Sequence, residues 1–262
     1  MIKKFNKLVT FIRDVFNEKE AFIPLHVPKF SGHEKEYVLD TIESNLVSSV
    51  GSFISKSELM IQELTGAKYA IATITGTSAL HTALIVSGVN QGDEVITQGL
   101  TFIATANAIN YCGASPIFLD VDKETLGLSV SSLNDFLKNK TYQVNGCCYN
   151  KITKKRIAAV VPMHTFGHPV KIDEIISLCN SYGINVVEDA AESLGSYYKN
   201  KHAGTFGSVG VFSFNGNKTI TCGGGGMIVT NDQQLAKKAK HLITTAKKAH
   251  PWEYFHDEVG YN

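Results

Sequence analysis

The chain has 262 residues, 44% hydrophobic and 19% charged, enough to bury one large core or two modest ones. A formal net charge of +1 supplies no bulk field for nucleic acid or an anionic membrane, so neither is an expected partner. Five cysteines, Cys112, Cys147, Cys148, Cys179 and Cys222, fit no zinc spacing and point to a reduced, cytoplasmic protein with no metal.

Residues 1–30 read as an N-terminal helix followed by an extended segment. Phe5, Leu8, Val9, Ile12, Val15 and Phe16 trace one helix face, while Arg13 and Asp14 break any run that could serve as a signal peptide or membrane span. A surface helix leaning on the body, or on a partner chain, is expected. Residues 31–262 read as one domain. From about Ala67, short apolar strands alternate with helices. Strands are expected at Tyr69–Thr73, Glu94–Thr97, Ser115–Leu119, Ile157–Val161, Asn185–Glu188, Gly210–Phe214 and Gly226–Thr230. Helices are expected at Ser78–Val86, Ala104–Tyr111, Lys171–Tyr182 and Gln233–Thr245. Asn139–Lys155 reads as a loop or a small surface hairpin. The pairs Lys237-Lys238 and Lys247-Lys248 read as a solvated helix face. This alternation argues for an α/β fold, a mostly parallel seven-stranded sheet with helices on both faces, whose ligands gather beyond the carboxyl ends of the strands.

Four groups sit at such strand ends. Gly76-Thr77-Ser78 follows the first strand and opens a helix; free amides and the helix dipole there suit a phosphate, and the alternative is a plain helix cap by Thr77 or Ser78. Glu188-Asp189-Ala190-Ala191-Glu192 ends an apolar strand in an acid followed by small residues. A buried acid needs a cation such as a protonated pyridine nitrogen, or else caps a helix or binds a metal with Glu188 and Glu192. Ser213-Phe214-Asn215-Gly216-Asn217-Lys218 delivers a lone lysine, either a nucleophilic amine or a solvent-facing side chain. Gly223-Gly224-Gly225-Gly226 packs a backbone closely around that turn. A phosphate site, an acid for a ring nitrogen and a lysine for an aldehyde are together what pyridoxal 5'-phosphate needs.

With these motifs, and with Thr101-Phe102-Ile103-Ala104-Thr105-Ala106-Asn107-Ala108-Ile109, the chain closely resembles the DegT/StrS family of nucleotide-sugar aminotransferases over about residues 23–262. The resemblance implies the large domain of a fold-type I pyridoxal-phosphate enzyme. It implies that Lys218 carries the cofactor and moves the proton between cofactor and substrate carbons. Asp189 would pair with the ring nitrogen, Phe102 would stack on the ring, and Glu192 would lie beside the ring hydroxyl, where many relatives carry Gln. The backbone of Gly76, Thr77 and Ser78 with the Ser213 hydroxyl would hold the phosphate, and Asn262 would serve a neighbouring subunit, implying a homodimer with shared sites. The implied reaction moves the amino group of glutamate to a nucleotide-linked 4-keto-6-deoxy sugar for bacterial surface glycans, nearest the legionaminic-acid subgroup.

Family members continue into a small C-terminal domain past the position of Asn262, so the chain reads as truncated, and a cofactor-binding remnant or regulatory protein is the alternative. The family's sugar dehydratases carry His where this chain has Lys218. His164 and His168 could face the site or shape a turn, His81 reads as a packing residue, and the scarcity of arginine, with only Arg13 and Arg156 to bind a carboxylate, favours a sugar over a dedicated amino-acid acceptor.

Overall fold

A computed structural model describes residues 2–248, 250 and 252–261. Three helices come first: α1 (Asn6–Phe16), α2 (Glu34–Glu43) and α3 (Ser52–Thr65). The alternating body follows as β1 (Tyr69–Thr73), α4 (Gly76–Val86), β2 (Glu94–Gln98), α5 (Ile103–Tyr111), β3 (Ser115–Leu119) and α6 (Val130–Lys140). Next come β4 (Thr141–Val144), β5 (Cys147–Asn150), β6 (Arg156–Val161), α7 (Ile172–Ser181) and β7 (Asn185–Asp189). The last elements are β8 (Tyr197–Tyr198), β9 (Lys201–His202), β10 (Val209–Ser213), β11 (Gly226–Thr230) and α8 (Gln233–Ile243).

The expected sheet is present. Seven strands run in the order β1-β11-β10-β7-β6-β2-β3, and only β11 pairs antiparallel with its neighbours along this path. The segment expected as loop or hairpin is the β4–β5 hairpin, and β5 adds antiparallel to the start of β6, extending the sheet to nine strands. Strands β2, β10 and β11 are buried at every position, as apolar runs covered on both faces should be. Successive residues of a strand face opposite ways. Val187, Val211 and Ile228 therefore meet Leu80, Leu84 and Ala239 of α4 and α8. Their neighbours Val186, Phe212 and Met227 meet the cores under α7 and α3 on the other face.

Three helices, α2, α3 and α6, carry no clear sequence signal. α2 buries none of its residues, α3 buries only Ile61 and Thr65, and α6 only Leu133 and Leu137. The helix at the N-terminus forms, but it does not lean on the body: α1 buries no side chain, and Phe11, Val15 and Phe16 are each more than 60% exposed. The five cysteines are free thiols. Among the described residues, no helix is long and apolar enough to cross a membrane.

One strand sets the frame. Glu188 on β7 is fully buried, and its carboxylate accepts from the amides of Gly204 at 2.9 Å and of Phe206 and Gly207 at 2.6 Å. His164, also fully buried, meets it through Nε2 at 3.0 Å and accepts from the Val170 amide through Nδ1. Burial pushes the Glu188 carboxyl up, but the His164 contact and the backbone amides outweigh it and hold the group below its ordinary value of 4.5. His164 is thus the structural turn residue rather than a site residue. Glu188→Ala leaves three buried amides without an acceptor and should cost about 3–5 kcal/mol in chemical denaturation; a loss under about 1 kcal/mol would contradict the assignment. Because the folded pKa is lowered, the contribution is present above the unfolded value and is lost as pH falls through the folded one.

Candidate active site

The site lies at the carboxyl ends of β1, β6, β7 and β10. There Gly76, Thr77, Phe102, Asp189, Glu192, Ser213 and Lys218 line a single cavity of about 430 Å³. Asn262 lies outside the described residues. Ser78 is not in the lining: the α4 cap is Thr75, whose hydroxyl oxygen accepts from the Ser78 amide at 3.0 Å and meets the Ser78 hydroxyl at 2.9 Å. The capping alternative is therefore corrected from Thr77 or Ser78 to Thr75. Thr75 bridges Gly225, and the first turn of α4 that follows leaves amides without a helical partner, so the positive end of α4 opens into the cavity. Glycine at position 76 is required by packing. A Cβ there would sit 2.7 Å from the Cβ of Ser213, so only glycine lets the start of α4 touch the end of β10.

Asp189 follows Glu188 and so faces the other side of the sheet. It is 5% exposed; its carboxylate accepts from the Thr105 hydroxyl of α5 at 2.7 Å and from the Ala191 amide at 3.2 Å. Burial pushes its pKa above the ordinary 3.8, and Thr105, Ala191 and the charge on Lys218 offset this only in part. The metal alternative loses its partners, because Glu188 is committed to the opposite face and Glu192 to Lys218. Among the described residues, the metal-capable grouping is His241, Asp257 and Glu258, outside this cavity and bridged by Lys238 and Lys248.

Lys218 sits on the turn after β10, held by its amide to the Asn215 carbonyl at 3.0 Å. It is not solvent-facing: its side chain is 10% exposed, its ammonium lies 2.9 Å from Glu192 Oε1, and it stands 5.7 Å from the centre of the Phe102 ring. Phe102 precedes α5 and is 63% exposed into the cavity rather than packed in the core. Gly224 and Gly225 close the wall behind the lysine turn, and Gly226 pairs with both Thr73 and Ser213.

Sequence reasoning passed over Thr105 and Gln98. Gln98 is fully buried; its amide donates to the carbonyls of Leu100 and Met163 and to the Thr165 hydroxyl, tying two site loops together. A polar residue ending a fully buried strand was the available signal. His81 packs edge-on against Tyr111 and Tyr261, as expected of a packing residue. Neither arginine reaches the cavity: Arg156 binds Asp93, and Arg13 binds the carbonyls of Glu18 and Ala21.

Comparison with known proteins decides the assignment. Residues 28–262 match the model of the DegT/DnrJ/EryC1/StrS aminotransferase family. The chain belongs to that family. It is 43% identical over 92% of its length to GDP-perosamine synthase of Escherichia coli O157:H7, and spans 62% of that relative. The solved aminotransferase of Psychrobacter cryohalolentis is 31% identical, with a TM-score of 0.79 over 92% of this chain and 60% of that one. DesI, solved in the presence of its TDP-sugar product, is 26% identical, with a TM-score of 0.74 over 88% of this chain and 56% of that one. The chain thus covers about 60% of the length of the relatives it matches. Membership in this family implies pyridoxal 5'-phosphate as the cofactor.

The cavity passes a physical test for that group. It presents a primary amine, a buried acid lacking a full counter-charge, a stacking ring, and helix amides beside a hydroxyl, in a volume typical of cofactor sites. The buried acid yields a prediction for the cofactor-free chain. With its folded pKa raised, Asp189 costs stability as pH rises from the unfolded value through the folded one. Asp189→Asn should therefore raise the melting temperature at neutral pH by roughly 2–4 °C and flatten its dependence on pH, while weakening cofactor binding. A lower melting temperature in that variant would contradict the assignment.

Proposed function

We propose that the protein is a pyridoxal-phosphate aminotransferase that moves the amino group of glutamate to a nucleotide-linked 4-keto-6-deoxy sugar. The observation that carries this reading is the convergence in one cavity of the Lys218 amine, the Asp189 carboxylate and the open amino end of α4 beside Ser213. The bound cofactor would supply an aldehyde that takes up amines and a protonated ring that draws electrons.

Each residue then has a task. The amides of Gly76 and Thr77 and the Ser213 hydroxyl hold a phosphate, and the Asp189 carboxylate keeps a ring nitrogen protonated. Phe102 fixes the plane of the ring from one side. The Lys218 Nζ is the covalent tether and then the base that carries a proton from one carbon to another, with Glu192 Oε1 holding it in reach. Identity of residue 218 favours transfer over the elimination expected of a histidine there.

The similarity to GDP-perosamine synthase and to a neighbour crystallised with a TDP-sugar supports a nucleotide-linked sugar acceptor. The legionaminic-acid subgroup is the finer assignment, within bacterial surface glycan and lipopolysaccharide synthesis in the cytoplasm. The working unit is a homodimer with shared sites, to which Asn262 contributes; the exposed apolar faces of α1 and α2 are consistent with a covered surface.

Added pyridoxal phosphate should give the purified chain a visible absorption band that Lys218→Ala lacks. Transfer from glutamate to a panel of GDP-, UDP- and TDP-linked 4-keto-6-deoxy sugars should fall by about 10²–10⁴-fold in that variant. A band without transfer to any sugar would favour the cofactor-binding alternative.

A further inference from the structure

One residue of the cavity is unexplained by cofactor binding. Phe166 has φ 53° and ψ 26°, a left-handed backbone that a bulky aromatic rarely adopts, yet its side chain is 74% exposed and lines the cavity. No core packing repays the strain. It is imposed by the flanks, which are pinned on both sides. His164 is fixed to Glu188, and the Thr165 hydroxyl donates to the Leu126 carbonyl while accepting from Gln98. Gly167 runs so close to the backbone of residue 192 that a Cβ would lie 2.7 Å from the Glu192 carbonyl oxygen. The loop is anchored everywhere except at the one ring it holds out beside the cofactor pocket. Strained backbone kept by over-determined surroundings is a mark of functional sites.

The chemistry of the cavity narrows what that ring meets. Its charged lining residues are Asp189, Glu192 and Lys218, the last two paired with each other. The rest is hydroxyl, amide and apolar surface, including Thr101, Asn215 and Asn217. Outside the residues given to the cofactor the lining is uncharged apart from the paired Glu192, which suits a neutral group with hydroxyls and an apolar side. A 6-deoxy sugar has such an apolar side, made of its axial C–H groups and the C5 methyl.

We propose that Phe166 is a specificity-determining residue that receives the apolar face of the 6-deoxy sugar acceptor; the inference rests on the functional reading above. Phe166→Gly provides the test because glycine adopts this backbone without penalty. In the cofactor-loaded chain, the variant should melt at the wild-type temperature or above it. Its KM for the 4-keto-6-deoxy nucleotide sugar should rise about 10-fold, equivalent to about 1.4 kcal/mol, with a smaller change in kcat. Calorimetric affinity for an unreactive 6-deoxy nucleotide sugar should fall by the same factor, and less for an analogue that keeps its 6-hydroxyl. Phe166→Leu should lie between the two. An unchanged KM in Phe166→Gly, with wild-type amination intact, overturns this inference alone, as does a loss of affinity accompanied by a lower melting temperature. Failure of the wild-type chain to aminate any sugar of the panel overturns the functional reading and this inference with it.

Discussion

The structure depends on how one buried strand end, β7, disposes of two consecutive carboxylates. Glu188 and Asp189 face opposite sides of the sheet because strand side chains alternate. Glu188 is answered from within, by three amides and His164. Asp189 is answered by one hydroxyl and one amide, so its charge is left facing the cavity. Their pKa values consequently move in opposite directions from the same starting chemistry and nearly the same burial.

The first carboxylate builds the frame that aims the second. By gathering the amides of Gly204, Phe206 and Gly207, Glu188 draws that turn against β10, where Gly204 lies so near Phe212 and Ala190 that a side chain would collide with both. β10 in turn delivers Ser213 and, one turn later, Lys218. The approach of Gly76 to Ser213 then brings the amino end of α4 to the same point. Gln98 and Thr105 secure the remaining walls, from Met163 to Asp189. A destabilising acid and a strained Phe166 persist because these surroundings are tightly bonded, the usual trade of stability for function.

Much of this was legible in the sequence. Apolar runs such as Val95-Ile96 and Val186-Val187 announced strands buried on both faces, and strand ends marked where chemistry belonged. Lys218, Asp189 and Gly76-Thr77 could be singled out because each breaks an apolar pattern at such an end. Other features depend on contacts that no local pattern encodes. Thr105 and Asp189 are 84 positions apart, and the need for glycine at position 76 comes from Ser213, far along the chain. The cap at Thr75 instead of Thr77 or Ser78 turns on where the helix begins, a matter of one or two residues. Helices such as α2 bury too little to leave an apolar stripe, and the left-handed backbone of Phe166 follows from its pinned neighbours.

The proposed function requires Asp189 to be a carboxylate kept for a cation, with Lys218 as tether and the end of α4 as phosphate seat. The most direct measurement is nitrogen-15 magnetic resonance of labelled pyridoxal phosphate bound to the chain, read at the ring nitrogen. A nitrogen protonated through neutral pH in the wild type, and unprotonated when Asp189 is replaced by Ala, is the predicted result. An unprotonated ring nitrogen at neutral pH with Asp189 in place would contradict it.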